Sequence, residues 1–178
     1  MMRNAFDAGE RRLLLRRIIV FGAMGFLLGV LQCSFFSRLK PFGATPDLIL
    51  GSIAAVTLLD GKKCGAVYAI AAGYFIDAIG ALTPSFSPVF YLVFVVILGF
   101  ISEKMMPRFV SFAVLMIPTV ILGAAQTFIN ASIAFSGAPP FGVFMRTALP
   151  EALCTFIFCL PIYFVVKLCM IPIHQIDS

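Results

Sequence analysis

Apolar residues run in six blocks along the chain, at 18–36, 46–59, 64–82, 87–102, 110–136 and 149–171, each bounded by charge, proline or glycine. A helix of about 20 residues, rising 1.5 Å per residue, crosses a hydrocarbon core of about 30 Å. The pattern therefore predicts an all-α integral membrane protein. Its fold is a compact bundle of six transmembrane helices in one domain over 1–178, with a short basic tail at about 1–17. The second block is short for a span, 14 residues from Pro46 to Leu59. It must begin near Pro41, thin the bilayer or re-enter from the side it left. Without a full second span, every later loop would change sides.

Polar positions inside the blocks are few, and most share a helix face. In the third block Gly65, Ala69, Gly73, Asp77 and Ala81 recur at every fourth residue, a small-residue ridge that lets a neighbouring backbone come close. Asp77 lies on that ridge. An ionised carboxylate at membrane depth costs roughly 2.5–3.5 kcal/mol on insertion scales, so it should face protein or a water-filled cavity. The first block repeats the device with Gly25 and Gly29, and Gln32 continues that face. Gly25 and Gly29 could meet a partner's spanning helix or another helix of the same bundle. In the fifth block Thr119, Gly123, Gln126 and Asn130 share a face, with Thr127 and Ser132 beside it. Two readings of Asp77 stand together: a buried carboxyl bonded to Gln32, Gln126 or Asn130 that fixes helix register, or a group used in exchange or partner contact. Glu151 opens the sixth block behind Pro150, where the helix dipole favours a carboxylate.

Composition agrees with the pattern. With 61% hydrophobic residues, 12% charged and a mean hydropathy of +1.07, the chain lies far outside soluble globular norms. The net charge of +5 is asymmetric in sequence. With both termini cytoplasmic, the inner face carries ten basic residues (Arg3, Arg11, Arg12, Arg16, Arg17, Lys62, Lys63, Lys104, Arg108 and Lys167), and the outer face carries three (Arg38, Lys40 and Arg146). That bias follows the positive-inside rule and accounts for the charge without nucleic acid. The first block is 19 residues long and lacks a small-x-small cleavage pattern, which predicts a retained helix.

The sequence offers little for catalysis. The five cysteines form no C-x-x-C pair, the only histidine is His174 near the end, and no G-x-S-x-G, Walker or H-E-x-x-H motif occurs. No enzyme activity, metal or cofactor is expected. The outer loop at 135–146, FSGAPPFGVFMR, sets Phe141, Phe144 and Arg146 around prolines and glycines. Interfacial anchoring explains these aromatics, and a docking surface for a second membrane protein is the sharper alternative.

The order of these features resembles the MreD family of rod shape-determining proteins. The matching pieces are LQ at 31–32, PDLIL at 46–50, DGKKCGAVYAIAAGYFIDAIGA at 60–81 and LPEALCTFIFCLPIYFVVKL at 149–168. The segment after Asp77 departs from the family, with Pro84, Ser85 and Pro88 where a Gly-rich turn is usual. The resemblance implies a non-catalytic scaffold in the bacterial inner membrane that binds MreC, a protein with one spanning helix and a periplasmic domain. Through MreC it would help couple MreB filaments to RodA and a class B penicillin-binding transpeptidase. The alternative is the substrate-binding subunit of an energy-coupling factor transporter, to whose fold the MreD fold is thought to be similar. A vitamin site would then have to be built at the outer ends from Asp47, Ser85, Ser87, Tyr91 and Arg146.

Overall fold

The computed structural model describes residues 2–40, 43–79, 87–106, 108–134 and 140–174, and among these the chain is helical with no strand. Helix α1 (Met2–Val30) continues through a π-helical segment, Leu31–Phe36, and a last turn, Ser37–Leu39. It is followed by α2 (Leu48–Asp60), α3 (Lys62–Ile79), α4 (Ser87–Ser102) and α5 (Phe109–Ala134). A short helix, Pro140–Val143, and a second π-helical segment, Phe144–Ala148, lead into α6 (Leu149–His174). The six main helices fall on the six apolar blocks. The basic stretch ahead of the first block is part of α1, as expected of a run rich in Arg and Leu with no proline to stop it.

Among the described residues three stretches are long and apolar enough to cross a membrane: Arg16–Leu39, Phe109–Asn130 and Phe144–Met170. Apolar side chains also cover the outside of the bundle, among them Ile19, Leu27, Val67, Phe100, Val110, Ile121 and Leu168. A soluble domain would not present so much contiguous apolar surface.

Helix α2 decides the architecture. Every residue from Leu48 to Leu58 is buried, and α2 touches each of the other five main helices. A helix that is apolar all round belongs inside a protein, and α2 is the axis around which the others pack. At 13 residues it is about 20 Å long, which suits the interior of the bundle better than an independent crossing.

Small residues set the approach distances. A Cβ on Gly65 would overlap the Thr57 side chain of α2, and one on Gly73 would lie 2.6 Å from Pro88 Cα of α4. Ala69 between them is fully buried, so the α3 ridge seats against α2 and α4. Ala81, at its end, lies outside the described residues. Helices α2 and α3 are joined by Gly61 alone, whose φ of 87° is a conformation that side-chain-bearing residues rarely adopt. The charged ends of several helices meet on one side: Arg17 Nη1 pairs with Asp60 Oδ1 at 3.3 Å, and Lys62 pairs with Glu103. The side chains of Arg3, Arg11 and Arg12 lie outside the described residues.

Candidate functional site

At the end of the bundle away from those ion pairs, α2 starts inside the protein, and its first amide groups need acceptors that water would otherwise provide. Asp47 caps the helix: its Oδ1 accepts from Leu50 N at 3.0 Å. Gln32, in the π-helical segment of α1, brings its Oε1 to Leu48 N at 3.0 Å and to Ile49 N at 3.3 Å. The N–H of Asp47 donates to Thr155 Oγ1 of α6 at 2.9 Å, and Cys159 Sγ donates to Asp47 O at 3.3 Å. Tyr91 of α4, fully buried, donates from its hydroxyl to Asp47 Oδ2 at 3.2 Å. Helices α1, α2, α4 and α6 are thus tied together at the start of α2.

A second polar group adjoins it. Thr127 Oγ1 of α5 donates to Glu151 Oε1 at 3.0 Å, and Asp47, Glu151 and Thr155 line one cavity of about 10 Å³, room for about one water. Asp47, Glu151 and Asp77 all lie within electrostatic reach of the Tyr91 hydroxyl. One helical turn below, Ser52 Oγ donates to Ile49 O at 2.7 Å and meets Tyr68 OH of α3 at 2.9 Å. Among the described residues no group of three or more His, Cys, Asp or Glu is placed to hold a metal ion.

Several expected pairings change. Gln32 does not bond Asp77; it serves the α2 amides, because unpaired N–H groups at a buried helix start need an acceptor and Gln32, like Gly29, faces Ile49 of α2. Asp77 is partly buried, and its Oδ1 has no hydrogen-bond partner. Asn130 is exposed, so it does not bond an interior Asp77. Gln126 lines a cavity of about 100 Å³ with Tyr91 and Phe90, and its neighbour Thr127 is the residue that reaches Glu151. Gly123 faces Leu50, and Thr119 is buried with its hydroxyl on Leu115 O at 2.7 Å. Ser85 and Pro84, and the side chain of Ser132, lie outside the described residues.

The Gly25 and Gly29 face is occupied within the bundle. A Cβ on Gly25 would stand 3.2 Å from Tyr68 OH, and one on Gly29 would be 2.5 Å from the Phe75 ring of α3. The absent Gly25 side chain thereby leaves Tyr68 its path to Ser52. Phe141, Phe144 and Arg146 are exposed, with the Phe144 ring 6.3 Å from that of Phe128.

In the sequence Asp47 and Tyr91 are singled out only as outer-end polar groups, Asp47 also within PDLIL at 46–50, and Thr155 is present only as part of the stretch at 149–168. For Asp47 a signal was present: an Asp directly before an apolar run is an N-cap pattern. For Thr155 it was weaker, a hydroxyl one turn beyond Glu151 on the same helix face.

Gln32→Leu should leave two α2 amides without an acceptor and cost about 1–3 kcal/mol. The check is hydrogen exchange at Leu48 and Ile49, which should speed up selectively; Gln32→Glu, which retains an acceptor, should exchange more nearly like the parent. Unchanged exchange in Gln32→Leu would show that these bonds do not hold the helix start.

No family model, curated protein or solved structure matches the chain.

Proposed function

We propose that this chain is a multi-pass membrane scaffold of the MreD type. In this reading six helices lie in the bacterial inner membrane with both termini cytoplasmic, and the protein binds MreC and helps couple MreB filaments to RodA and a class B transpeptidase. The supporting observation is where the matching sequence pieces go. LQ contributes Gln32, PDLIL contributes Asp47 and the first turn of α2, and LPEALCTFIF contributes Glu151 and Thr155; these distant segments converge on the start of α2. The segment at 60–81 supplies Gly65 and Gly73, which seat α3 on α2 and α4. The residues behind the resemblance thus work as one structural unit, and their polar atoms hold backbone in place.

That use of the interior suits a scaffold better than a transport subunit, since Asp47 and Glu151 border a cavity of about 10 Å³ and a ligand pocket needs a few hundred. In a bilayer, α2 would be the short second span, shielded from lipid on all sides by the other helices. With Gly25 and Gly29 covered by α3, the exposed Phe141, Phe144 and Arg146 become the proposed contact for MreC.

The test is mass spectrometry of proteins that co-purify with the tagged chain after gentle detergent extraction. A single-span protein with a periplasmic domain, recovered with wall synthases, is expected, and Phe141→Ala with Arg146→Glu should deplete it. Paired ATPases with a coupling membrane subunit would overturn the scaffold reading in favour of a transporter subunit.

A further inference from the structure

The cavity of about 10 Å³ between the start of α2 and the first turns of α6 has a polar wall of Asp47, Glu151 and Thr155 and an apolar one that includes Leu50, Val120 and Gly123. That volume admits one water molecule and no larger ligand.

Two acids line it without a cation. Among the described residues the ion pairs are Arg17 with Asp60 and Lys62 with Glu103, so neither Asp47 nor Glu151 has a basic partner. Like charges beside one small space repel unless a donor stands between them. Leu50 N and the Tyr91 hydroxyl already donate to Asp47, and Thr127 Oγ1 donates to Glu151. An ionised carboxylate has about four acceptor sites, so each acid keeps room for a further donor. Thr155 has the opposite surplus: its Oγ1 accepts from Asp47 N, which leaves its own O–H to donate.

We propose that this cavity is the binding site of one buried water molecule, which donates one proton each to Asp47 and Glu151 and accepts from the Thr155 hydroxyl. A buried water typically makes about three hydrogen bonds, and the wall offers two acceptors and one donor. A bare cation fits less well. Hard cations gather about six oxygens or more, and among the described residues no group of three or more His, Cys, Asp or Glu is placed to hold one. Because Glu151 also accepts from Thr127, the water carries the junction at the start of α2 on to α5. The inference depends on neither the membrane reading nor the partner.

The test is X-ray hydroxyl-radical footprinting of the full chain in detergent, read by mass spectrometry, because radicals made from a buried water oxidise side chains that bulk radicals do not reach. Leu50, 2% exposed, lines the cavity and should be oxidised, whereas Leu98, 0% exposed, should not. Thr155→Val, close in shape, should abolish the Leu50 label, and Thr155→Ser, which keeps the hydroxyl, should retain it. Leu50 also borders the neighbouring cavity of about 100 Å³, and buried Phe94, which lines only that one, reports water there. The proposal is overturned if Leu50 in the parent is labelled no more than Leu98, a comparison that needs no variant to fold. It is also overturned if Thr155→Val keeps the Leu50 label, as water beside Phe94 would cause, or if Leu50 is labelled only after choline replaces sodium, the sign of a bound cation.

Discussion

Asp47→Ala should be the most destabilising single change to the polar cluster. It removes the cap from Leu50 N, worth about 1 kcal/mol, and leaves the buried Tyr91 hydroxyl without an acceptor, at a cost of about 1–3 kcal/mol. The sum is about 2–4 kcal/mol, a substantial part of the 5–15 kcal/mol that typically separates folded from unfolded states. Asp47→Asn keeps one oxygen for Leu50 N and sets an amide NH2 opposite Tyr91, whose hydroxyl can accept from it, and Asn caps helices as well as Asp, so it should cost less than about 1 kcal/mol. The chain has no tryptophan, so unfolding in detergent is best followed by circular dichroism or a thiol-reactive dye. Equal stability of the alanine variant and the parent would mean that the start of α2 is held by packing alone. If the asparagine variant fell as far as alanine, the carboxylate itself, through its charge or its second oxygen, would be what matters.

The second large effect is expected at Gly73. Its missing side chain admits the α4 backbone, with Pro88 Cα and N at 2.6 and 2.7 Å from where a Cβ would be. Backbone cannot step aside as a flexible side chain can, so Gly73→Ala must push α4 away from α3, the most extensive helix pair in the bundle. Overpacking of this kind costs about 1–3 kcal/mol and sometimes more. Tyr91 is carried by the same helix, so displacement of α4 should also loosen its bond to Asp47. Gly22→Ala is the control: its Cβ meets open space, and the gain in helix propensity should make it neutral to slightly stabilising. A Gly73→Ala variant as stable as the Gly22→Ala variant would show that α3 and α4 are not in backbone contact.

Much of the cluster was out of reach of a one-dimensional reading for an identifiable reason. Helical periodicity says which residues share a face, and on that basis Gly65, Ala69 and Gly73 were placed together, as they are in the structure. It does not say which helix lies opposite. Asp77 drew attention because a lone carboxylate in an apolar block stands out, while Asp47 sat at a block boundary where an acid is unremarkable. The short second block posed the same difficulty: a 13-residue apolar helix can be a truncated span, a re-entrant segment or a central axis, and hydropathy is the same for all of them.

What the sequence determined by itself was the helical class, the positions of the six main helices and the faces that had to be small, because these follow from local periodicity and from the solvent in which apolar side chains are stable. The tertiary structure alone decided that α2 is the buried axis, that Gln32 and Asp47 receive its unpaired amides, and that Gly25 and Gly29 face α3. Those outcomes depend on which backbone groups are left without water once the helices pack, and that is settled between segments far apart in sequence.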